Sequence, residues 1–230
     1  MARSKYINTF DTTAEYNNYI ESAYPEFPNV GYDKEADKVN IRTESPNDYQ
    51  IWGTTTATEN FNIKLNNIDV EVTVDANLGE FYLTGWTGTL TSLQTAFYDL
   101  SQITSIKKFA LDTSNVTNIN QVFENTSCTY INFSTPYTPV ISGNAISAFK
   151  SNQLLYLDIS GWDLTNSNTG SWQSMFGPKL SDIYITVEGT LMKLTNNLTS
   201  ADSSYIPSSA TIHYNGTDYK WTGSAWTPQS

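Results

Sequence analysis

Cysteine and histidine are nearly missing from this chain: its 230 residues hold one of each, Cys128 and His213. One thiol cannot close a disulfide within the chain. One Cys with one His cannot by themselves ligate a zinc ion or an iron–sulfur cluster. Charge is also scarce, at 15% of residues, and 12 Lys+Arg against 23 Asp+Glu leave a net charge of −11. A nucleic-acid-coating protein needs a basic surface to displace phosphate counterions, and this balance argues against one. No run of 18 apolar residues occurs, so no segment reads as a membrane-spanning helix. What the chain has in quantity is polar and aromatic. Asn, Ser and Thr form about a third of it, well above an average soluble protein. Its 15 Tyr, 10 Phe and 6 Trp are more than a disordered chain carries. The composition describes a folded, acidic, polar-surfaced protein rich in β-structure. Its length suits one large domain, or a compact one with small flanking modules.

The start, Met1-Ala-Arg-Ser-Lys-Tyr6, has two basic residues but no apolar stretch behind them, so it does not read as a secretory signal. Synthesis in a cytosol without export by the usual route is expected. The Thr-, Asn- and Tyr-rich composition nonetheless resembles an outward-facing, extracellular-type surface.

Residues 1–50 read as a distinct opening segment. Asp11 is placed to cap a helix over residues 12–20, with Glu15 near its first turn. Pro25 and Pro28 force an extended or turning path, and Val39-Asn40-Ile41 alternates as a short strand does. With few apolar residues of its own, the segment fits an arm that attaches to a partner, and Tyr24, Pro25, Phe27, Pro28 and Val30 are its candidate attachment residues. Residues 51–80 contain a β-hairpin: Phe61-Asn-Ile63-Lys-Leu65, an Asn66-Asn67 turn, then Ile68-Asp-Val70-Glu-Val72-Thr-Val74.

The strongest signal lies in residues 81–200. Phe97, Phe123, Phe149 and Phe176 follow one another at 26, 26 and 27 residues. Each has an apolar residue one position before it (Ala96, Val122, Ala148, Met175) and another four before it (Leu93, Ile119, Ala145, Trp172). The i, i+3, i+4 stripe predicts a short helix in each unit. The strands expected around these helices are Phe81-Tyr-Leu83, Phe109-Ala-Leu111, Ile131-Asn-Phe133, Leu155–Ile159 and Ile183–Val187. A strand plus short helix at this period is the pattern of leucine-rich-repeat-like solenoids, whose units bury their apolar stripes only by stacking. The fold class expected is therefore α+β and β-rich, a solenoid of short strands and short helices capped by β-hairpins. The hairpin at 61–74 would protect its first edge. Residues 201–230 supply a second, aromatic hairpin around Asn215-Gly216, which could cap the other end or meet another copy.

The repeat residues resemble a family. Leu111-Asp112-Thr113-Ser114-Asn115-Val116-Thr117-Asn118-Ile119-Asn120-Gln121-Val122-Phe123 is similar to the BspA-type leucine-rich repeat of bacterial surface proteins. Leu157-Asp158-Ile159-Ser160-Gly161-Trp162-Asp163-Leu164 with Ser174-Met175-Phe176 resembles a second copy, and the likeness covers roughly residues 80–190. It implies an adhesive or binding surface rather than an enzyme. The opening segment, Phe10–Tyr16 with Pro25-Glu26-Phe27-Pro28-Asn29-Val30-Gly31-Tyr32 and Lys38–Ile41, resembles the start of virion proteins of crAss-like Bacteroidales phages. The closing Tyr214–Trp221 resembles phage fibre termini. These likenesses imply a head-fibre or decoration protein, made in a host cytosol yet working outside the cell. Implied partners are other virion subunits, copies of itself and a host surface glycan or protein; nucleic acid and membrane are not among them. A bacterial cell-surface adhesin is the alternative, and a glycan-cleaving fibre enzyme a remote one.

No catalytic, cofactor or metal residues are assigned. His213 lacks a partnering nucleophile motif and reads as a surface aromatic, and Cys128 as a small buried or semi-exposed thiol. No GxSxG, HExxH, Walker or dinucleotide motif occurs. Asp33-Lys-Glu35-Ala-Asp37 lacks the glycine and terminal glutamate of a calcium loop, and Glu21/Glu26 would serve a glycosidase only if a cleft joined them. Trp86, Trp162 and Trp172 read as repeat packing. Tyr219, Trp221 and Trp226 remain as candidate contact residues, because exposed aromatics on rigid β-structure bury large area at low entropic cost.

Overall fold

The computed structural model describes residues 30–33, 38–41, 48–168, 175–197 and 209–229. The chain divides into two units, Met1–Tyr49 and Gln50–Ser230, a boundary one residue from that drawn at 50. In the first, β1 (Val30–Asp33) pairs antiparallel with β2 (Lys38–Ile41), which contains the expected strand at 39–41. The helix expected at 12–20 lies outside the described residues.

The second unit is one 11-stranded sheet with parallel strands in its middle and antiparallel strands at both ends. The antiparallel start comprises β3 (Ile51–Thr55), β4 (Phe61–Leu65), β5 (Ile68–Asp75) and β6 (Glu80–Leu83). The parallel run is β7 (Ile103–Phe109), β8 (Tyr130–Asn132), β9 (Tyr156–Asp158), β10 (Asp182–Ile185) and β11 (Thr211–Tyr214). After β10 comes α1 (Glu188–Asn197), and β12 (Thr217–Trp221) and β13 (Trp226–Pro228) close the far edge. Strand register places Ile106, Ile131, Leu157, Ile183 and Ile212 side by side. All five are fully buried, and they form the inner column of a β-rich solenoid whose coils are about 26 residues long, the spacing of the repeated Phe.

The Phe97, Phe123 and Phe149 segments are not helices but chains of tight turns, and most of the Phe176 segment lies outside the described residues. Their backbone explains why. In a helix each N–H bonds within its own segment. Here Leu93, Thr95, Phe97 and Asp99 donate to the carbonyls of Asn118, Asn120, Val122 and Glu124 in the next coil. Ile119, Gln121, Phe123 and Asn125 repeat this toward Asn144, Ile146, Ala148 and Lys150. Alternate residues turn sideways only because some adopt left-handed backbone: Thr95 (φ 55) and Asp99 (φ 60), then Gln121 (φ 56) and Asn125 (φ 62), then Ser147 (φ 54). Each such residue costs about 1 kcal/mol, which the inter-coil ladder offsets. The apolar stripe is real, since Leu93, Ala96 and Phe97 and their described successors are buried, but turns produce it. Inside, the Phe rings stack coil on coil: Phe97–Phe123 at 4.9 Å, then Phe123–Phe149 and Phe149–Phe176, both at 6.1 Å.

Two expected strands differ. Phe81-Tyr-Leu83 lies in β6, antiparallel to β3 and β5, so it belongs to the cap and not to the first coil. The first coil's strand is β7 at 103–109, because Ile106 and not Leu111 occupies the inner column; Phe109 ends that strand and Leu111 turns the following corner.

The edge of β7 pairs with β3, whereas the hairpin at 61–74, expected to protect the first strand's edge, instead meets the turn segment of the first coil. Asn66 (φ 53) and Asn67 (φ 62) make its tight turn. The Lys64 and Asn66 N–H groups donate to Ala96 and Ser92 carbonyls, so β4 continues the turn ladder. The Asn66 carboxamide oxygen accepts from the Thr91 (2.8 Å) and Ser92 (3.0 Å) N–H groups, and its Nδ2 donates to the Thr89 carbonyl at 2.7 Å. At the other end Asn215 (φ 47) and Gly216 (φ 84) turn the aromatic hairpin, whose β11 is the last parallel strand. The helix α1 was not expected from the repeat. It buries Leu191 and Leu194, and its Thr190 hydroxyl donates to the Trp162 carbonyl (2.8 Å) while accepting the Leu164 N–H (2.9 Å).

Candidate contact surface

Alternation along each short strand sends one side chain inward and its neighbours outward. Because Ile131, Leu157, Ile183 and Ile212 point in, the residues beside them face out. Tyr130 and Tyr156 precede the inner column and Tyr184 and His213 follow it, so these rings form one row that steps by two residues between β9 and β10. Their ring centroids lie 4.4 Å (Tyr130–Tyr156, stacked), 4.9 Å (Tyr156–Tyr184, tilted at 34°) and 4.2 Å (Tyr184–His213, stacked) apart, close to the spacing of neighbouring strands. Stacking consumes the ring faces between neighbours, so the row presents ring edges and phenol oxygens. Tyr130, at the start of the row, is the most open, with 36% exposure. Its neighbour on β7 is Ser105, too small to cover a ring.

Carboxylates accompany the rings. His213 Nε2 lies 2.9 Å from Asp182 Oδ1 and its Nδ1 lies 2.7 Å from Asp218 Oδ1, which ties β10, β11 and β12 together. Burial pushes the Asp182 carboxyl up, but hydrogen bonds from the Ser181 hydroxyl and His213, with the charges of His213 and Lys220, outweigh it and hold the group below its ordinary value. Asp158 accepts the Ser160 N–H at 2.9 Å through Oδ1. Burial, then the Asp158 charge, lifts the Tyr156 phenol well above its ordinary value. Burial and then Asp182, Asp218 and Asp158 lift that of Tyr184. These phenols stay neutral at neutral pH and sit in a negative potential. The cations stand at the ends of the row: Lys220 on β12, and Lys107 on β7, which lies 3.6 Å from Glu80 and 4.7 Å from the Trp52 ring centroid.

The residues singled out from sequence fall elsewhere. Tyr219 and Trp221 are half-buried against the core and Trp226 is buried. Trp221 and Trp226 pair at 5.8 Å, so these aromatics close the end of the solenoid rather than stand free. Tyr24, Pro25, Phe27 and Pro28 lie outside the described residues, as do Glu21 and Glu26. Val30 opens β1. His213 is a half-buried member of the row, held at both ring nitrogens. Cys128 is buried; desolvation pushes its thiol up to about 12, and it donates weakly to the Ile103 carbonyl at 3.6 Å. Trp162 is buried, stacked on Phe133 at 4.5 Å, and Trp86 packs half-buried on the core. Trp172 lies outside the described residues. Among the described residues no cluster of three or more His, Cys, Asp or Glu is placed to hold a metal ion, and no helix is long and apolar enough to cross a membrane.

The tyrosine row was missed although its signal was present. Tyr130, Tyr156 and Tyr184 are 26 and 28 residues apart, each next to an inner-column residue. The Phe period drew attention to the turns instead of to this outward position. Comparisons with models of protein families, with curated proteins and with solved structures find no match to this chain.

Proposed function

We propose that this chain is a non-enzymatic structural protein of a phage virion, a head fibre or a capsid or tail decoration protein. Residues 1–50 attach it to the particle, and the solenoid presents a contact face to partner subunits or to the host surface. The observation that carries the contact role is the row Tyr130–Tyr156–Tyr184–His213, four adjoining rings displayed outward on a ladder whose inner column is fully buried. Rigid aromatic side chains that are already ordered lose little entropy on binding. The division of the chain after Tyr49 supports a separate attachment unit, and the likeness of the opening segment to phage virion proteins supplies the particle. Virion proteins repeat with particle symmetry, so the chain works as a homo-oligomer.

The second reading is a BspA-type leucine-rich-repeat adhesin of a bacterial surface. It draws support from Asp112 and Asp158, which accept the Ser114 and Ser160 N–H groups within the two Leu-Asp-x-Ser sequences, both at 2.9 Å. Co-sedimentation separates the readings. Full-length protein added to particles lacking it is expected to sediment with them, and a chain without residues 1–50 to stay in the supernatant. Equal sedimentation of both sinks the attachment role. Full-length protein that stays in the supernatant yet binds intact bacterial cells favours the adhesin.

A further inference from the structure

We infer that the outward row Tyr130–Tyr156–Tyr184, with Asp158 beside it, is a docking strip for a basic polypeptide segment, one that brings Lys or Arg side chains at strand-like spacing. This rests on the contact role proposed above and names the chemistry of the partner.

Three observations carry it. The first is what the row exposes. Facing rings are spent on one another, at 9° between the Tyr130 and Tyr156 planes, so beyond the one open face of Tyr130 beside Ser105 a ligand meets ring edges and phenol oxygens. Phenol and carboxylate oxygens accept hydrogen bonds, and charged Lys and Arg groups are donors without acceptors. The second is charge. Asp158 lies level with Tyr184 in the β9–β10 register, and its Oδ2 takes no partner among the described residues. Asp182 and Asp218 hold the two ring nitrogens of His213. With Asp158 they make three carboxylates against Lys220 at one end, and Lys107 at the other is paired with Glu80, which leaves the strip negative on a chain of net charge −11. A second copy of this face would be repelled, and a cationic segment drawn in. The third is spacing. Four strands carry one row residue each, 4.2 to 4.9 Å apart. Successive same-side residues of an extended peptide lie roughly 6.5–7 Å apart. A peptide crossing the strands therefore meets an acceptor within reach of every same-side Lys or Arg.

Fluorescence anisotropy with the full chain tests this, using a labelled peptide of alternating Arg and Thr. An alternating Glu–Thr peptide and a neutral oligosaccharide serve as comparisons. The basic peptide is expected to bind, with affinity falling steeply as salt rises. Asp158→Asn is expected to weaken it ~10-fold, and Tyr156→Phe, which keeps the ring stack and removes only the hydroxyl, ~3-fold. Glu59→Gln removes the same charge at an exposed position in the β3–β4 connection and is expected to stay within about two-fold. Equal weakening by Glu59→Gln and Asp158→Asn would show attraction to net charge alone and overturn the proposal. Binding of the oligosaccharide or the acidic peptide in place of the basic one overturns it too. Failure here leaves particle attachment intact, because sedimentation reads residues 1–50.

Discussion

Removing one ring from the Phe stack tests the coil-on-coil packing most sharply. Phe123 is fully buried. Its ring stacks on Phe97 at 4.9 Å and 7°, on Phe149 at 6.1 Å and 24°, and meets the edge of Phe133 at 5.2 Å and 87°. Truncating a buried Phe to Ala costs about 3–5 kcal/mol, through lost burial and the cavity left behind. Three aromatic contacts put Phe123→Ala near the top of that range. At roughly 2–4 °C per kcal/mol for a domain of this size, Tm should fall by on the order of 10 °C or more. The sharper quantity is coupling. In a solenoid, stability is a sum over coils and nearest-neighbour interfaces. The double-mutant cycle Phe97→Ala/Phe123→Ala, across a direct ring contact, should give a coupling of about 1 kcal/mol. Phe97→Ala/Phe149→Ala, with Phe123 between the two rings, should add to within about 0.3–0.5 kcal/mol. Urea titrations followed by circular dichroism measure both. Coupling as large for the separated pair as for the adjacent one, or a cost for Phe123→Ala under ~1.5 kcal/mol, would refute nearest-neighbour stacking.

Four further outcomes follow from particular residues. Gly161 has φ +88, and a Cβ there would lie 2.0 Å from the Thr135 carbonyl oxygen, whereas Gly216 (φ +84) has open space around it. Thermal melts should show Gly161→Ala costing more than ~3 kcal/mol and Gly216→Ala about 1 kcal/mol, and equal costs would contradict the close approach. Asn66→Ala removes the carboxamide that holds the Thr89–Ser92 backbone, and should cost about 1–3 kcal/mol with faster amide exchange at Thr91 and Ser92. Cys128, buried with its thiol pushed up to about 12, should resist a disulfide reagent at pH 8 in the native protein and react at once in urea; native labelling would contradict its burial. The Asp182 carboxyl titrates below its ordinary value when folded, so its ionised form stabilises the fold above that ordinary value, near pH 4. The contribution drains away as pH falls through the folded-state value. Asp182→Asn should therefore flatten the acid limb of urea midpoints taken between pH 2.5 and 5, and an unchanged limb would contradict it.

The period of the fold was legible because Phe97, Phe123, Phe149 and Phe176 occupy equivalent places and cannot be spared from the core. The local backbone was not. An i, i+3, i+4 stripe marks a helix only if N–H groups bond within the segment, and here Leu93, Thr95, Phe97 and Asp99 donate to a neighbour 25 residues on. That choice belongs to tertiary context, with left-handed Thr95 and Asp99 as its local sign. Hairpin turns were readable outright, since Asn66-Asn67 and Asn215-Gly216 favour left-handed backbone. The contact row was half legible: Tyr156 and Tyr184 stood in expected strands, but which face was outward depended on the inner column. The C-terminal aromatics were legible as an end hairpin but not in their packing. Tyr219, Trp221 and Trp226 read as contact residues, yet Trp226 is buried and the other two are half-buried on the core, which suits the capping alternative for this hairpin.

Mass spectrometry of gradient-purified phage particles tests the proposed virion role most directly. The chain should be present at a copy number set by particle symmetry, and should stay with the particles through a second gradient. Its absence from the particles, with recovery in the envelope fraction of uninfected bacterial cells, would contradict a virion role.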